Sequence, residues 1–231
     1  MNPLCHRMAR AGALVLALLS APAAPAAEDF SAAERALFIT NQLAALKPPA
    51  TLSYSYRKSG SLEAGFDDKV SVALRPQADG SCCAAAVKFL SGDRQVSLPD
   101  VESAQGNPVI LAFLERDIRE MQRLTKGQAN YFRKRIRMSV YQGAVLRPVT
   151  LSYKGRSVAG QEIEVSPYLD DPLRARFEKL ANKQYLFTLS NEVPGGVYAI
   201  RSRIAGETAD AAPLLVEELR IAGAAASGTP R

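Results

Sequence analysis

From residue 51 the apolar positions recur every second residue: Leu52, Tyr54 and Tyr56 alternate with Ser53, Ser55 and Arg57, and Val70, Val72 and Leu74 alternate with Lys69, Ser71 and Ala73. Side chains of a strand point to opposite faces in turn, so this period predicts half-buried strands. Turn-forming residues over 60–65 and 76–80 separate the runs. They predict an antiparallel meander that continues through Cys83, Ala85, Val87 and Phe89 and then Val96 and Leu98. The alternation returns at Phe132, Lys134, Ile136, Met138 and Val140, then at Val149, Leu151 and Tyr153, then at Ile163 and Val165. Strands over 184–190, 197–204 and 214–221 follow, with Pro194, Gly195 and Gly196 as a hairpin turn.

Three stretches read as helices instead. Ser31 and Glu34 have capping-box spacing ahead of 32–47, where Leu37, Phe38, Asn41 and Ala44 fall at helical spacing and Pro48-Pro49 end the run. Asn107-Pro108 and Lys126-Gly127 are start and stop signals for a helix over 108–126. Its first half, 109–114, is apolar nearly all round, which predicts deep burial. The second half sets Ile118, Met121 and Leu124 against Arg116, Asp117, Arg119, Glu120 and Arg123, which predicts a surface position. Asp171-Pro172 opens a third helix to about Asn182. Strands without regular strand-helix alternation predict an α+β fold: roughly nine strands in a strongly curved antiparallel sheet, helix 108–126 across its concave face, and two further helices.

The first 26 residues read as a cleaved signal peptide. Arg7 and Arg10 precede the apolar run 11–19, and small residues around Ala24-Pro25-Ala26 form a cleavage site. The expected product is a soluble periplasmic protein, with full secretion as the alternative. It comprises a single domain over 27–221 and a small, polar, disordered tail over 222–231. Removal of Arg7 and Arg10 from 29 basic residues leaves 27 against 23 acidic ones, a net charge of about +4. That modest excess in an exported protein points away from nucleic acid and toward anionic envelope lipids.

The order of elements is an N-terminal helix, a meander, an apolar helix entered through Gly106-Asn107-Pro108-Val109-Ile110-Leu111, and more meander. It resembles the LolA/LolB-like half-barrels that carry lipids or lipoproteins across the periplasm. The chain departs from LolA in lacking tryptophan and in adding a helix after Pro172. The resemblance implies a non-enzymatic carrier whose curved sheet and apolar helix enclose a groove for a lipid-like ligand. On this reading Ile110, Leu111, Leu114, Tyr54 and Tyr56 are the ligand-binding residues. An envelope interaction or assembly protein with a closed core is the competing reading, because a cavity and a solid core use the same residues.

Candidate chemistry is sparse. Signal cleavage removes His6 and Cys5, the sole histidine and one of three cysteines, and no G-x-S-x-G elbow is present. No enzyme activity, cofactor or metal site is expected. Cys82 and Cys83 read as a partly exposed thiol and a small core residue, with a vicinal disulfide as the alternative. In a strand, Arg133, Arg135 and Arg137 share one face. There they either clamp phosphates or carboxylates, giving peripheral contact with an anionic membrane, or pair with Glu162 and Glu164 on a solvated face. Asp67-Asp68 and Asp170-Asp171 suit turns and caps, and Glu217-Glu218 suits edge protection. The expected partner is a lipid or an envelope protein.

Overall fold

The computed structural model describes residues 30–80, 82–208 and 210–225. The expected signal peptide therefore lies outside the described residues. One antiparallel sheet of eight strands, curved and unclosed, is joined by three helices in an α+β fold. The strands are β1 (Ala50–Ser59), β2 (Phe66–Pro76), β3 (Cys82–Phe89), β4 (Val145–Tyr153), β5 (Arg156–Val165), β6 (Gln184–Leu189), β7 (Val197–Ile204) and β8 (Leu215–Ile221). Their order is β3-β2-β1-β8-β7-β6-β5-β4, so the last strand sits at the centre of the sheet. Glu217-Glu218 thus lie on a central strand and protect no edge.

The helices are α1 (Ala32–Glu34), α2 (Val109–Thr125) and α3 (Ala129–Gly143). The capping box at Ser31 forms: its hydroxyl accepts from Glu34 N at 3.2 Å and its own N–H donates to the Glu34 carboxylate at 2.9 Å. Past Glu34 the helix widens into a π turn, Arg35–Ile39, and stops far short of residue 47. Thr40 leaves the helical conformation, and beyond it the Asn41 side-chain oxygen accepts from the N–H of Leu43 in a local turn.

Segment 132–140 is the largest departure from the expected layout, being the middle of α3 instead of a strand. Phe132, Ile136 and Val140 are spaced by four, and all three are buried on one side of the helix. Segment 96–98 forms only an isolated bridge, Val96 to Phe89, which together with α3 brings the strand count to eight. The helix expected after Asp171 is two short 3-10 turns, Arg174–Arg176 and Glu178–Asn182. The tail expected to be loose from 222 begins with docked residues: Ala224 bridges Tyr153, and Ala225 N donates to Ser152 O at 3.1 Å.

Cys82 and Cys83 are joined as a vicinal disulfide, so the thiol expected at Cys82 is absent. The pairing of β3 with β2 slips beside them, between Arg75 and Pro76.

Candidate functional site

Strand register builds two parallel rows on the face of the sheet that α2 covers. One is apolar, running Tyr56, Leu219, Ile200, Phe187 and Ile163 across β1, β8, β7, β6 and β5. The next is polar, running Lys58, Glu217, Ser202 and Tyr185 across β1, β8, β7 and β6. The first half of α2 lies over the apolar side, with Phe113 edge-on to Phe89 at 6.4 Å between ring centres, and Phe89 edge-on to Tyr56 at 5.8 Å.

The second half of α2 lies over the polar row. Arg116 pairs with Glu217, Asp117 pairs with Lys183 and accepts from the Tyr185 hydroxyl, and Glu120 pairs with Lys58 at 2.9 Å. Lys58 also reaches Glu63 at 2.6 Å. The side chains of Asp117, Lys183 and Glu217 are wholly enclosed. Charges this deep persist only when paired and hydrogen-bonded. Burial pushes the Asp117 carboxyl above its ordinary range, against the pull of Lys183. Burial also opposes ionisation of Glu217, but Arg116, Lys183 and Lys58 outweigh it and hold that carboxyl below its ordinary range. The half of α2 expected at the surface is therefore clamped to the sheet.

This packing decides where the expected ligand-binding residues fall. Tyr54, Tyr56 and Ile110 are buried in the closed core. The Tyr54 hydroxyl accepts from Asn107 at 2.8 Å, and the Arg116 guanidinium lies over the Tyr56 ring. Helix and sheet enclose a solid interior at these residues. Leu111 and Leu114 point elsewhere: with Ile118 they form a stripe along the side of α2 that faces α1 and α3, at the i, i+3 and i+7 spacing of one helical face. Leu111, expected to be deeply buried, is 57% exposed.

That stripe floors a hollow of about 370 Å³, completed by Phe30, Phe38 and Ile39 on one side and Ile136 on the other. The size falls within the roughly 300–1,000 Å³ of small-molecule sites. Another hollow, of about 360 Å³, mixes Thr40, Gln42, Gln161, Ser190 and Glu192 with Ala36, Ala159 and Leu189. Arg133 and Arg137 stand at the rim of the apolar hollow, with Glu34 and Glu115.

The three arginines do not form a row. On a helix Arg135 points away from the other two, and it pairs with Asp171 at 2.9 Å. Arg133 grips Glu115 through two contacts of 2.7 Å, linking α3 to α2 and lowering the Glu115 carboxyl pKa. Arg137 has no hydrogen bond or ion pair among the described residues. Glu164, expected opposite the arginines, pairs with Arg147 at 2.8 Å. Signals for the buried charges were present in the chain. Lys58 and Glu217 continue apolar alternations, and Asp117 follows Phe113 by four residues.

Among the described residues no helix is long and apolar enough to cross a membrane, and no group of three or more His, Cys, Asp or Glu side chains could hold a metal. No family model and no curated protein matches the chain. Among solved structures it is similar to the lipoprotein LppX of Mycobacterium tuberculosis, at 10% identity and a TM-score of 0.33 over 77% of this chain and 87% of that one. A LolA superfamily protein is among the neighbours. That protein, from Nitrosomonas europaea, is 9% identical with a TM-score of 0.23, over 86% of this chain and 94% of its own. The Pseudomonas aeruginosa MucA/MucB complex is similar at 14% identity and a TM-score of 0.33, over 87% of this chain and 59% of that one.

Proposed function

We propose that the chain is a non-enzymatic binding protein of the periplasm that holds the apolar portion of a lipid-like ligand in the groove between α1, α2 and α3. The observation that carries this reading is Leu111, which stands 57% exposed among the apolar side chains lining the hollow while the core beside it is packed solid. A large aliphatic side chain left in water at the floor of a groove favours an occupant that removes it from water, by about 25 cal/mol per Å² covered. The ligand enters on the outer side of α2, away from the sheet.

A titration with a fluorescent long-chain fatty acid tests this reading. One-to-one binding is expected, weakened at least tenfold by Leu111→Glu. The melting temperature should hold, because the residue is exposed. Absence of binding, or equal binding by the variant, would contradict it.

The closed interior around Tyr54, Tyr56 and Ile110 favours a second reading, in which the same groove receives an apolar segment of an envelope protein. Native mass spectrometry of the protein purified from its own envelope separates the two, since a lipid adduct supports the first and a stoichiometric protein partner the second.

A further inference from the structure

From the rim of the groove outward, α3 carries Arg133, Lys134, Arg137, Met138 and Tyr141, all exposed. These positions form one continuous stripe on a helix. Arg133 is engaged by Glu115, whereas Lys134 and Arg137 are without a hydrogen bond or ion pair among the described residues. A second hollow of about 470 Å³, bordered by Phe30, Glu34, Lys134, Arg137, Met138 and Tyr141, adjoins the groove and shares Phe30, Glu34 and Arg137 with it.

Half of the ten exposed large hydrophobic side chains of the described residues border these two hollows: Phe30, Ile39, Leu111, Met138 and Tyr141. The acidic groups nearby do not cancel the free cations. Glu115 is held by Arg133, and Glu34, which accepts from the N–H of Ser31, is a single carboxylate against the two cations Lys134 and Arg137.

We propose that this face docks on an anionic bilayer. Lys134 and Arg137 meet headgroup phosphates, and Met138, Tyr141, Phe30 and Leu111 settle into the interface. The inference rests on the ligand reading above only for its consequence, that the groove then opens toward the lipid it takes up. Long cationic side chains with apolar stems, interleaved with Met and Tyr, match a surface that is charged outside and apolar a few ångströms deeper. A second copy fits poorly, because a two-fold contact would set this row of cations against itself.

Co-sedimentation with vesicles tests the proposal. One set contains phosphatidylglycerol mixed into phosphatidylcholine and the other is pure phosphatidylcholine. The protein is expected on the anionic vesicles and not on the neutral ones, with binding that falls as salt rises. Changing Lys134→Gln and Arg137→Gln together should weaken partitioning about thirtyfold, from about fivefold per cation. The melting temperature should stay the same. Met138→Ser with Tyr141→Ser should weaken it as well. No preference for anionic vesicles, or undiminished binding by the double Gln variant, would overturn the proposal. So would a concentration-dependent dimer abolished by the Met138 and Tyr141 changes. Fatty-acid binding in solution is read separately, so failure at the vesicle surface leaves the groove reading intact and failure of the groove leaves this one intact.

Discussion

Lys183 and Asp117 form an ion pair in which neither side chain reaches solvent, and it ties the start of β6 to the middle of α2. Removing one partner of such a pair strands the other charge in a medium that cannot solvate it. Lys183→Met is therefore expected to destabilise by about 3–5 kcal/mol. Pairing it with Asp117→Leu should recover part of that loss, because no charge is then left alone. Denaturant unfolding of the single and double variants measures both.

Acid sensitivity should come from the same layer. Burial works against the ionised Glu120 and Glu217, but Arg123 and Lys58 around the first and Arg116, Lys183 and Lys58 around the second hold both carboxyls below their ordinary range. A carboxyl depressed in the folded state contributes stability that is complete above its unfolded pKa, about 4.3 for glutamate, and is lost as pH falls through the folded value. Asp117, raised by burial, acts in the opposite sense: its contribution weakens as pH climbs from its unfolded value toward its folded one. The net expectation is steep destabilisation below about pH 4. Glu120→Gln should give a shallower acid limb in melting temperature against pH, and an unchanged limb would contradict this assignment.

Neighbouring residues of α2 should differ sharply in what they contribute. Ile110 is 1% exposed beneath the helix, so Ile110→Ala is expected to cost about 2–5 kcal/mol. Leu111→Ala, on the open side, should change stability by no more than about 0.5 kcal/mol while weakening fatty-acid binding. Thermal melts and ligand titration on the two variants check the contrast.

Asn107 closes the N-terminal end of the same helix against the sheet. Its side-chain N–H donates to the Tyr54 hydroxyl and to the Gly195 carbonyl, each at 2.8 Å, and its oxygen accepts from Val109 N at 3.1 Å. Gly195 sits at φ +71°, where a Cβ would lie 2.5 Å from Leu52, so the turn must bring bare backbone to Asn107. Asn107→Leu leaves those groups without partners and is expected to cost about 1–3 kcal/mol for each one stranded. Tyr54→Phe should destabilise by less and leave fatty-acid affinity unchanged, which separates a core tyrosine from a ligand contact.

Much of the sheet was legible because β1, β2, β7 and β8 alternate cleanly and their turns carry glycine and proline. The basic segment was not, since Phe132, Ile136 and Val140 satisfy a period of two and a spacing of four alike. Lys134 decides between them: a strand would turn it inward with those three, and the helix leaves it exposed. The groove was only half legible. Leu111 and Leu114 border the apolar hollow, whereas Tyr54, Tyr56 and Ile110 pack the core. Which side of an apolar helix meets the sheet depends on partners distant in the chain. Here Lys58, Lys183 and Glu217 draw the charged side of α2 inward and leave Leu111 outside.

On the proposed reading the ligand lies on the outer side of α2, between α1 and α3. Photo-crosslinking with a diazirine-bearing fatty acid, followed by peptide mapping, tests it most directly. Labels are expected on peptides carrying Phe30 to Ile39, Leu111 to Ile118 and Arg133 to Arg137, and they should fall away with Leu111→Glu. Labels concentrated on Tyr54, Tyr56 or Leu219 would place the ligand between helix and sheet and contradict the account.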